Sequence, residues 1–108
     1  MAIVSLFGCA NDPAPNEQLK LTEQAVAQAT AVGATDEEPD MASAQAKLAQ
    51  ARADMTNKSY KDARMQAEQS ELDARLAEAR VLTQKSDEQL TQVNTRLERL
   101  RKQLGAAQ

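Results

Sequence analysis

The feature that most constrains the fold is the absence of any helix-breaking residue between Tyr60 and Leu104. This stretch of about 45 residues contains neither glycine nor proline, the two residues that most destabilise a helix interior. It is rich in Ala, Gln, Glu and Arg, which all have high helix propensity. At 1.5 Å per residue, one continuous helix here would be roughly 65–70 Å long. We therefore expect one long helix in this chain of 108 residues, and the polar run from Thr83 to Ser86 leaves open whether it is continuous through residues 81–86.

Turn and capping residues predict two shorter helices before the long one. Asn16 can cap a first helix, and Gly33 is suited to the left-handed position that ends it. Pro39 is suited to the first position of a second helix, and Ser59 can cap the third. Valine and isoleucine are scarce, so strands are not expected. We therefore predict an all-α chain with helices at about 16–32, 39–56 and 60–104.

Apolar residues recur at three- and four-residue spacing in each predicted helix, which is the spacing of one helix face. In the first helix they are Leu19, Ala25, Val26 and Ala29. In the second they are Met41, Ala44, Leu48, Ala51 and Met55. In the first half of the third we expect packing by Ala63, Met65, Ala67, Leu72, Leu76 and Ala79. Because aromatic residues make up only 2% of the chain, this core is thin.

The second half of the long helix carries a separate heptad seam, with spacings that alternate between 3 and 4. Its residues are Leu90, Val93, Leu97, Leu100 and Leu104. The second helix is only about 27 Å long and cannot cover the third, so some 20 residues should overhang as a coiled-coil-like tail. One interpretation is a weakly self-associating or frayed helix end. The other is a functional interface for a helical protein partner or a homo-oligomer.

The composition argues against most catalytic chemistry. There is no histidine and only one cysteine, which excludes the usual zinc sites and any Ser–His or Cys–His nucleophile. The net charge of −3 gives no basic face for nucleic acid. The acidic segment 36–40 lacks the ligand spacing of a calcium loop, so we interpret it as an ordinary acidic start of a helix. We therefore expect no enzyme, cofactor, metal site, nucleic-acid partner or small-molecule substrate.

The first nine residues end in Leu6-Phe7-Gly8-Cys9, which resembles a bacterial lipoprotein processing site. Residues 1–8 would then be the end of a truncated signal peptide, because the apolar run is short and no Lys or Arg precedes it. Cys9 would be acylated and would attach the chain to a membrane. Residues 9–16, with two prolines, form the lipidated start and its tether.

The order of motifs along the chain resembles short Gram-negative lipoproteins that carry an alanine-rich domain of unknown function. The resemblance covers about residues 6–80 and rests on Leu6-Phe7-Gly8-Cys9, Pro13-Ala14-Pro15, Gly33-Ala34, Pro39, Lys47-Leu48-Ala49-Gln50-Ala51, Tyr60-Lys61-Asp62-Ala63-Arg64 and Ala67-Glu68. It implies a periplasm-facing outer-membrane lipoprotein. Ala10 agrees with that location, because aspartate after the cysteine typically retains such proteins at the inner membrane. Some members add an OmpA-like peptidoglycan-binding domain, which a leucine-bearing helix replaces here after Val81.

Two weaker likenesses add little to this interpretation. The second and third helices are similar to a tetratricopeptide hairpin at Ala51, Tyr60 and Ala63, but the characteristic Trp is missing and one hairpin does not make a solenoid. The murein lipoprotein combines a lipidated cysteine with a coiled coil. Its attachment through a carboxyl-terminal lysine is not implied, because this chain ends in Gln108.

Together these observations predict four segments and one function. The segments are a signal-peptide end at 1–8, a lipidated cysteine and tether at 9–16, an alanine-rich helical domain at 17–82, and an extended helix tail at 83–108. The predicted function is that of a non-enzymatic, lipid-anchored periplasmic interaction or structural protein of the cell envelope. The alternative is a soluble, self-associating coiled-coil protein in which the lipoprotein motif is fortuitous.

Overall fold

A computed structural model describes residues 12–107 and contains three helices. They are α1 (Asn16–Val32), α2 (Pro39–Thr56) and α3 (Tyr60–Ala106). No strand occurs within this described part of the chain. The predicted fold class and helix order are confirmed. The long helix is uninterrupted through residues 81–86, and it continues two residues beyond the predicted end at Leu104.

Of the two predicted amino-terminal caps, one is wrong and the other is right in position only. Asn16 is already the first residue of α1, and Pro15 occupies the capping position. Ser59 does precede α3, but its side chain makes no capping hydrogen bond. The end of α1 agrees with the prediction, because Gly33 adopts a left-handed conformation with φ 108°. Pro39 also opens α2 as expected.

The helices run up, down and up, and α1 and α2 both pack on the first half of α3. Hydrogen bonds join Thr22 to Ala67 between α1 and α3, and Ser70 to Ala44 between α3 and α2. At the far end of α1, Lys85 donates to the carbonyl oxygen of Val32. From residue 82 to residue 107 every residue is exposed. The predicted overhang of α3 is therefore present.

The core of this bundle is built mainly from alanine. The buried residues of α3 follow heptad spacing and form an inner seam: Ala63, Ala67, Ser70, Ala74, Ala77 and Val81. They meet the buried faces of α1 and α2, whose members are Thr22, Ala25, Ala29, Met41, Ala44, Leu48 and Ala51. Small side chains allow two helices to pack closely, and interaxial distance depends on the residues at the contact.

Two buried hydroxyl groups show how close the helices are. The Thr22 hydroxyl lies 2.9 Å from the Ala67 carbonyl oxygen on α3 and 2.9 Å from the Gln18 carbonyl oxygen on its own helix. The Ser70 hydroxyl donates across to the Ala44 carbonyl oxygen at 2.6 Å. A short side chain can reach the backbone of a neighbouring helix only when the helix axes approach closely. These two bonds therefore fix the register of α1 and α2 on α3.

The expected packing of the first half of α3 is correct for two residues and wrong for four. Ala63 and Ala67 are buried as expected. Met65, Leu72 and Leu76 are 46%, 67% and 43% exposed, and Ala79 is exposed as well. The reason is steric, because α1 and α2 approach α3 so closely that the inner seam of α3 accommodates mainly alanine. The larger residues consequently lie on the opposite side of the helix.

Gly33, which follows α1, and Gly105, which lies inside α3, should respond differently to substitution by alanine. Gly33 has positive φ, and its Schellman motif has Gly33 N–H bonded to Thr30 O at 3.0 Å and Ala34 N–H bonded to Ala29 O at 2.9 Å. We expect Gly33→Ala to lower the free energy of unfolding by about 1 kcal/mol through backbone strain. Gly105 lies inside α3 with open space around it, so Gly105→Ala should be neutral or stabilising by up to about 1 kcal/mol. Urea unfolding of both variants tests this, and equal effects would contradict it.

Candidate interaction surface

The tail of α3 presents the predicted heptad residues on one uncovered face. Leu90, Val93, Leu97, Leu100 and Leu104 are 44–69% exposed, and no other described element covers them. Their positions on one face follow from the continuity of α3, because spacings of 3 and 4 keep residues on the same side of a helix. Whether this face binds a partner stays a prediction.

The same heptad continues along α3 into the part that packs on α1 and α2. Counting backwards from Leu90 in alternating steps of 4 and 3 leads through a series of exposed residues to Met65. We call this series the outer stripe: Met65, Gln69, Leu72, Leu76, Ala79, Thr83, Ser86, Leu90, Val93, Leu97, Leu100 and Leu104. Its lower half is not among the sequence predictions, which place Met65, Leu72, Leu76 and Ala79 in the core. The heptad spacing of these residues is the signal that links them to the tail.

We call α1, α2 and the part of α3 that packs on them the body. Ion pairs lie on the surfaces of the body that flank the outer stripe. Lys47 Nζ lies 2.7 Å from Asp73 Oδ2, and the Ser43 hydroxyl donates to the same oxygen at 2.7 Å. Burial raises the pKa of Asp73, but the hydrogen bonds from Lys47 and Ser43 outweigh it and leave that pKa below its ordinary value. Arg80 Nε lies 3.0 Å from Asp40 Oδ2 in a second pair between α3 and α2.

On the side of the body formed by α1, an acidic residue of α3 makes an ion pair and a hydrogen bond. Hydrogen bonds from Arg75 and from Gln18 lower the pKa of Glu71. The Arg75–Glu71 distance is 2.6 Å, within one helix, and the Gln18–Glu71 distance is 2.7 Å, between α1 and α3. The Glu71 carboxylate therefore helps to hold α1 against α3.

The acidic segment before α2 is used in a turn. Glu38 accepts hydrogen bonds from the backbone N–H and the hydroxyl of Thr35. The backbone bond is the main reason that the pKa of Glu38 is lowered. Within residues 12–107 no three His, Cys, Asp or Glu side chains are grouped so that they could hold a metal ion.

One open surface depression belongs to α3 alone. It is lined by residues from Leu76 to Gln92 on one helix, so it is an open face and not an enclosed cleft. This geometry presents a surface for another helix more readily than a chamber for a small molecule.

None of the described helices is both long enough and apolar enough to span a bilayer.

The start of the described chain lies at the end of the body that is farthest from the tail. Pro15 is buried, and together with Ala14 it lines a depression with Arg64 and Glu68 near the beginning of α3. Asp12 shares another depression with Lys58–Asp62. The predicted lipidation site at Cys9, the signal-peptide end at 1–8 and part of the tether lie outside the described residues.

Comparison with known proteins places this arrangement in a family. A sequence model described as a domain of unknown function, DUF4398, matches residues 17–93. The fold is similar to the crystal structure of a DUF4398 family protein from Pseudomonas aeruginosa, with 59% sequence identity and a TM-score of 0.87. That similarity covers 89% of this chain and 100% of the other. A search of curated proteins found no match. On the extent of the family match, the chain belongs to the DUF4398 family.

Proposed function

We propose that this protein is a non-enzymatic lipoprotein of the outer membrane, anchored through Cys9, that presents α3 as a contact surface in the periplasm. The proposal combines the Leu6-Phe7-Gly8-Cys9 motif with the shape of the described domain. The body consists of helices held by small residues, and its large uncovered surface is a helix face. Such a surface suits an interaction or structural role in the cell envelope.

The observation that carries the proposal is the position of the chain start relative to the tail. Asp12 and Pro15 lie beside the beginning of α3, whereas the exposed tail is at its other end. A tether from Cys9 to Pro15 spans at most about 20 Å when extended. An α3 of 47 residues is about 70 Å long. An anchor at Cys9 would therefore hold the start of α3 near the membrane, and the tail lies farther along α3 than the tether can reach.

Membrane fractionation of the full-length gene product in a Gram-negative host tests the anchor. We expect the unaltered protein in the outer-membrane fraction, with incorporation of labelled palmitate. Cys9→Ser should move most of it to the soluble fraction and abolish the label, since the thiol is the acylation site. Ala14→Ser, a similar change within the tether, should leave both results unaltered.

A second variant tests which of the two membranes the protein reaches. Ala10→Asp should shift the protein toward the inner-membrane fraction while the palmitate label stays. The proposal of a lipid anchor is wrong if Cys9→Ser fractionates like the unaltered protein. Fractionation with the inner membrane before any substitution would contradict the outer-membrane assignment alone.

A further inference from the structure

We infer that the outer stripe of α3 pairs with the outer stripe of a second copy of this chain, in an antiparallel homodimer in which Met65 of one copy faces Leu104 of the other. This inference does not depend on the lipid anchor. It concerns only described residues, and it extends the contact surface from the tail to the whole outward face of α3.

The first argument is that α3 carries two heptad seams on opposite sides. The inner seam of small residues meets α1 and α2 through the Thr22–Ala67 and Ser70–Ala44 hydrogen bonds. The outer stripe runs along the other side, and all its residues are exposed. Because α1 and α2 lie on the inner side, they do not obstruct a helix that approaches the outer stripe. A heptad of this kind is the pattern by which one helix packs against another.

The second argument is the area available for burial. From Met65 to Leu104 the stripe is about 58 Å long, and a helix face is about 10 Å wide, so each copy offers roughly 600 Å². Pairing two full stripes would bury roughly 1,200 Å², which reaches the range of specific interfaces. The tail portion alone, from Ser86 onward, would bury less than half of that and fall among non-specific contacts. A stable pair therefore needs the lower half of the stripe as well as the tail.

The third argument is the match between the two ends of the stripe. In the full antiparallel register, Leu72 faces Leu97 of the second copy, and Leu76 faces its Val93. The uncovered leucines of each body are thus covered by the apolar tail of the other copy. At the centre of the pair, Thr83 faces Ser86 of the second copy, so the two polar positions meet each other. A shift by one heptad would place these hydroxyls against apolar residues and uncover apolar residues at both ends.

The fourth argument is charge, because residues that flank a heptad seam set helix orientation. In a parallel pair with equal register, Glu68 would face Asp73 of the second copy, and Arg75 would face its Arg80. The Arg96 and Arg101 side chains would form a third such like-charge contact. All three contacts occur twice in a symmetric dimer, so the parallel arrangement is disfavoured.

The antiparallel register removes all three of these like-charge contacts and introduces one new one, between Arg75 and Arg96. Arg80 faces Asp87 of the second copy, and symmetry gives this attraction twice. The Arg80 side chain is 61% exposed beside Asp40, so it has room for a second carboxylate. Arg75 would face Arg96 of the second copy, but Arg75 is already paired with Glu71 at 2.6 Å. The balance of charges favours the antiparallel pair.

Sedimentation of residues 12–108 tests whether the dimer forms. This part contains the three described helices, and the chain in the crystal structure of the Pseudomonas relative, over its whole length, matches 89% of this chain. We expect a dimer at about 100 µM that dissociates on dilution. A strict monomer at that concentration would overturn the inference and leave the stripe to a different helical protein.

Substitutions then test how far the interface extends. Leu97→Glu in the tail and Leu72→Glu in the body should each raise the dissociation constant at least 100-fold, because each places a charge in the apolar seam. Both side chains are exposed in the single chain, so the helix content should stay unchanged. Thr95→Glu adds the same charge off the stripe and should leave the dissociation constant within about threefold. If Leu72→Glu leaves it unchanged, a full-length interface is excluded.

Cysteine cross-linking tests the orientation, since residues 12–108 contain no native cysteine. We expect an equimolar mixture of Leu72→Cys and Leu97→Cys chains to form a mixed disulfide on oxidation. Neither variant alone should cross-link efficiently, because residue 72 is far from its own counterpart in the antiparallel pair. Efficient cross-linking of each variant alone, without the mixed product, would show a parallel dimer and contradict the proposed arrangement.

Discussion

Replacing Ala74 with leucine is expected to destabilise this protein by about 3 kcal/mol, which is the upper end of the usual cost of overpacking a core. Ala74 is fully buried in the inner seam and shares a cluster with residues of both α1 and α2. A leucine side chain there must separate helices that are close enough for the Ser70 hydroxyl to reach the Ala44 carbonyl at 2.6 Å. The penalty therefore includes strain and the loss of interhelical hydrogen bonds.

The effect should appear as a fall in melting temperature of roughly 15 °C, since 1 kcal/mol corresponds to about 4–8 °C in a domain of this size. Circular dichroism during heating measures it. Ala49→Leu is the matched control, because it makes the same change at an exposed position of α2 and should alter stability by less than about 0.5 kcal/mol. Equal losses for the two variants would contradict the assignment of the inner seam as the tightly packed core.

Met41→Ala is expected to lower the free energy of unfolding by about 3 kcal/mol, within the range for truncating a buried methionine. Met41 is the largest fully buried side chain in the described structure. Most of its neighbours in the core are alanines, which have no further atoms with which to fill a cavity. A native domain has a total stability of about 5–15 kcal/mol, so this single truncation should remove a large part of it.

Urea unfolding with an unchanged slope would identify the effect as a loss of native stability. Met55→Ala is the control, because Met55 belongs to the same apolar line of α2 but is only partly buried. That control should lose about 1 kcal/mol. A loss below about 1 kcal/mol for Met41→Ala would mean that the core closes around the missing side chain.

Much of the helical framework could be predicted because it depends on local backbone chemistry. Gly33 ends α1 since it accepts a positive φ, and Pro39 opens α2 since its fixed φ suits a first turn. The absence of glycine and proline before Gly105 predicted a long third helix, and the structure shows that α3 is continuous through residues 81–86. Gly105 itself did not end the helix, because a single glycine costs only about 1 kcal/mol there.

The face of α3 that is buried could not be predicted in the same way. Its first half has two heptad series with helical spacing, one mostly of alanine and one with leucines. Hydrophobicity favoured Leu72 and Leu76 for the core, but both are exposed. The polar residue Ser70 of α3 is buried instead, as is Thr22 of α1. The close approach of two other helices selected small side chains over large ones on this face of α3.

Only part of the candidate surface could be predicted from the sequence. The tail residues from Leu90 to Leu104 could be identified from sequence, because the second helix is too short to cover them. The lower half of the outer stripe required the tertiary structure, because only the positions of α1 and α2 show which side of α3 stays uncovered. The sequence by itself determined where the helices begin and end and that α3 overhangs, since these follow from local propensity and length. Only the tertiary structure decided which face each helix buries, because that choice depends on how closely neighbouring backbones can approach.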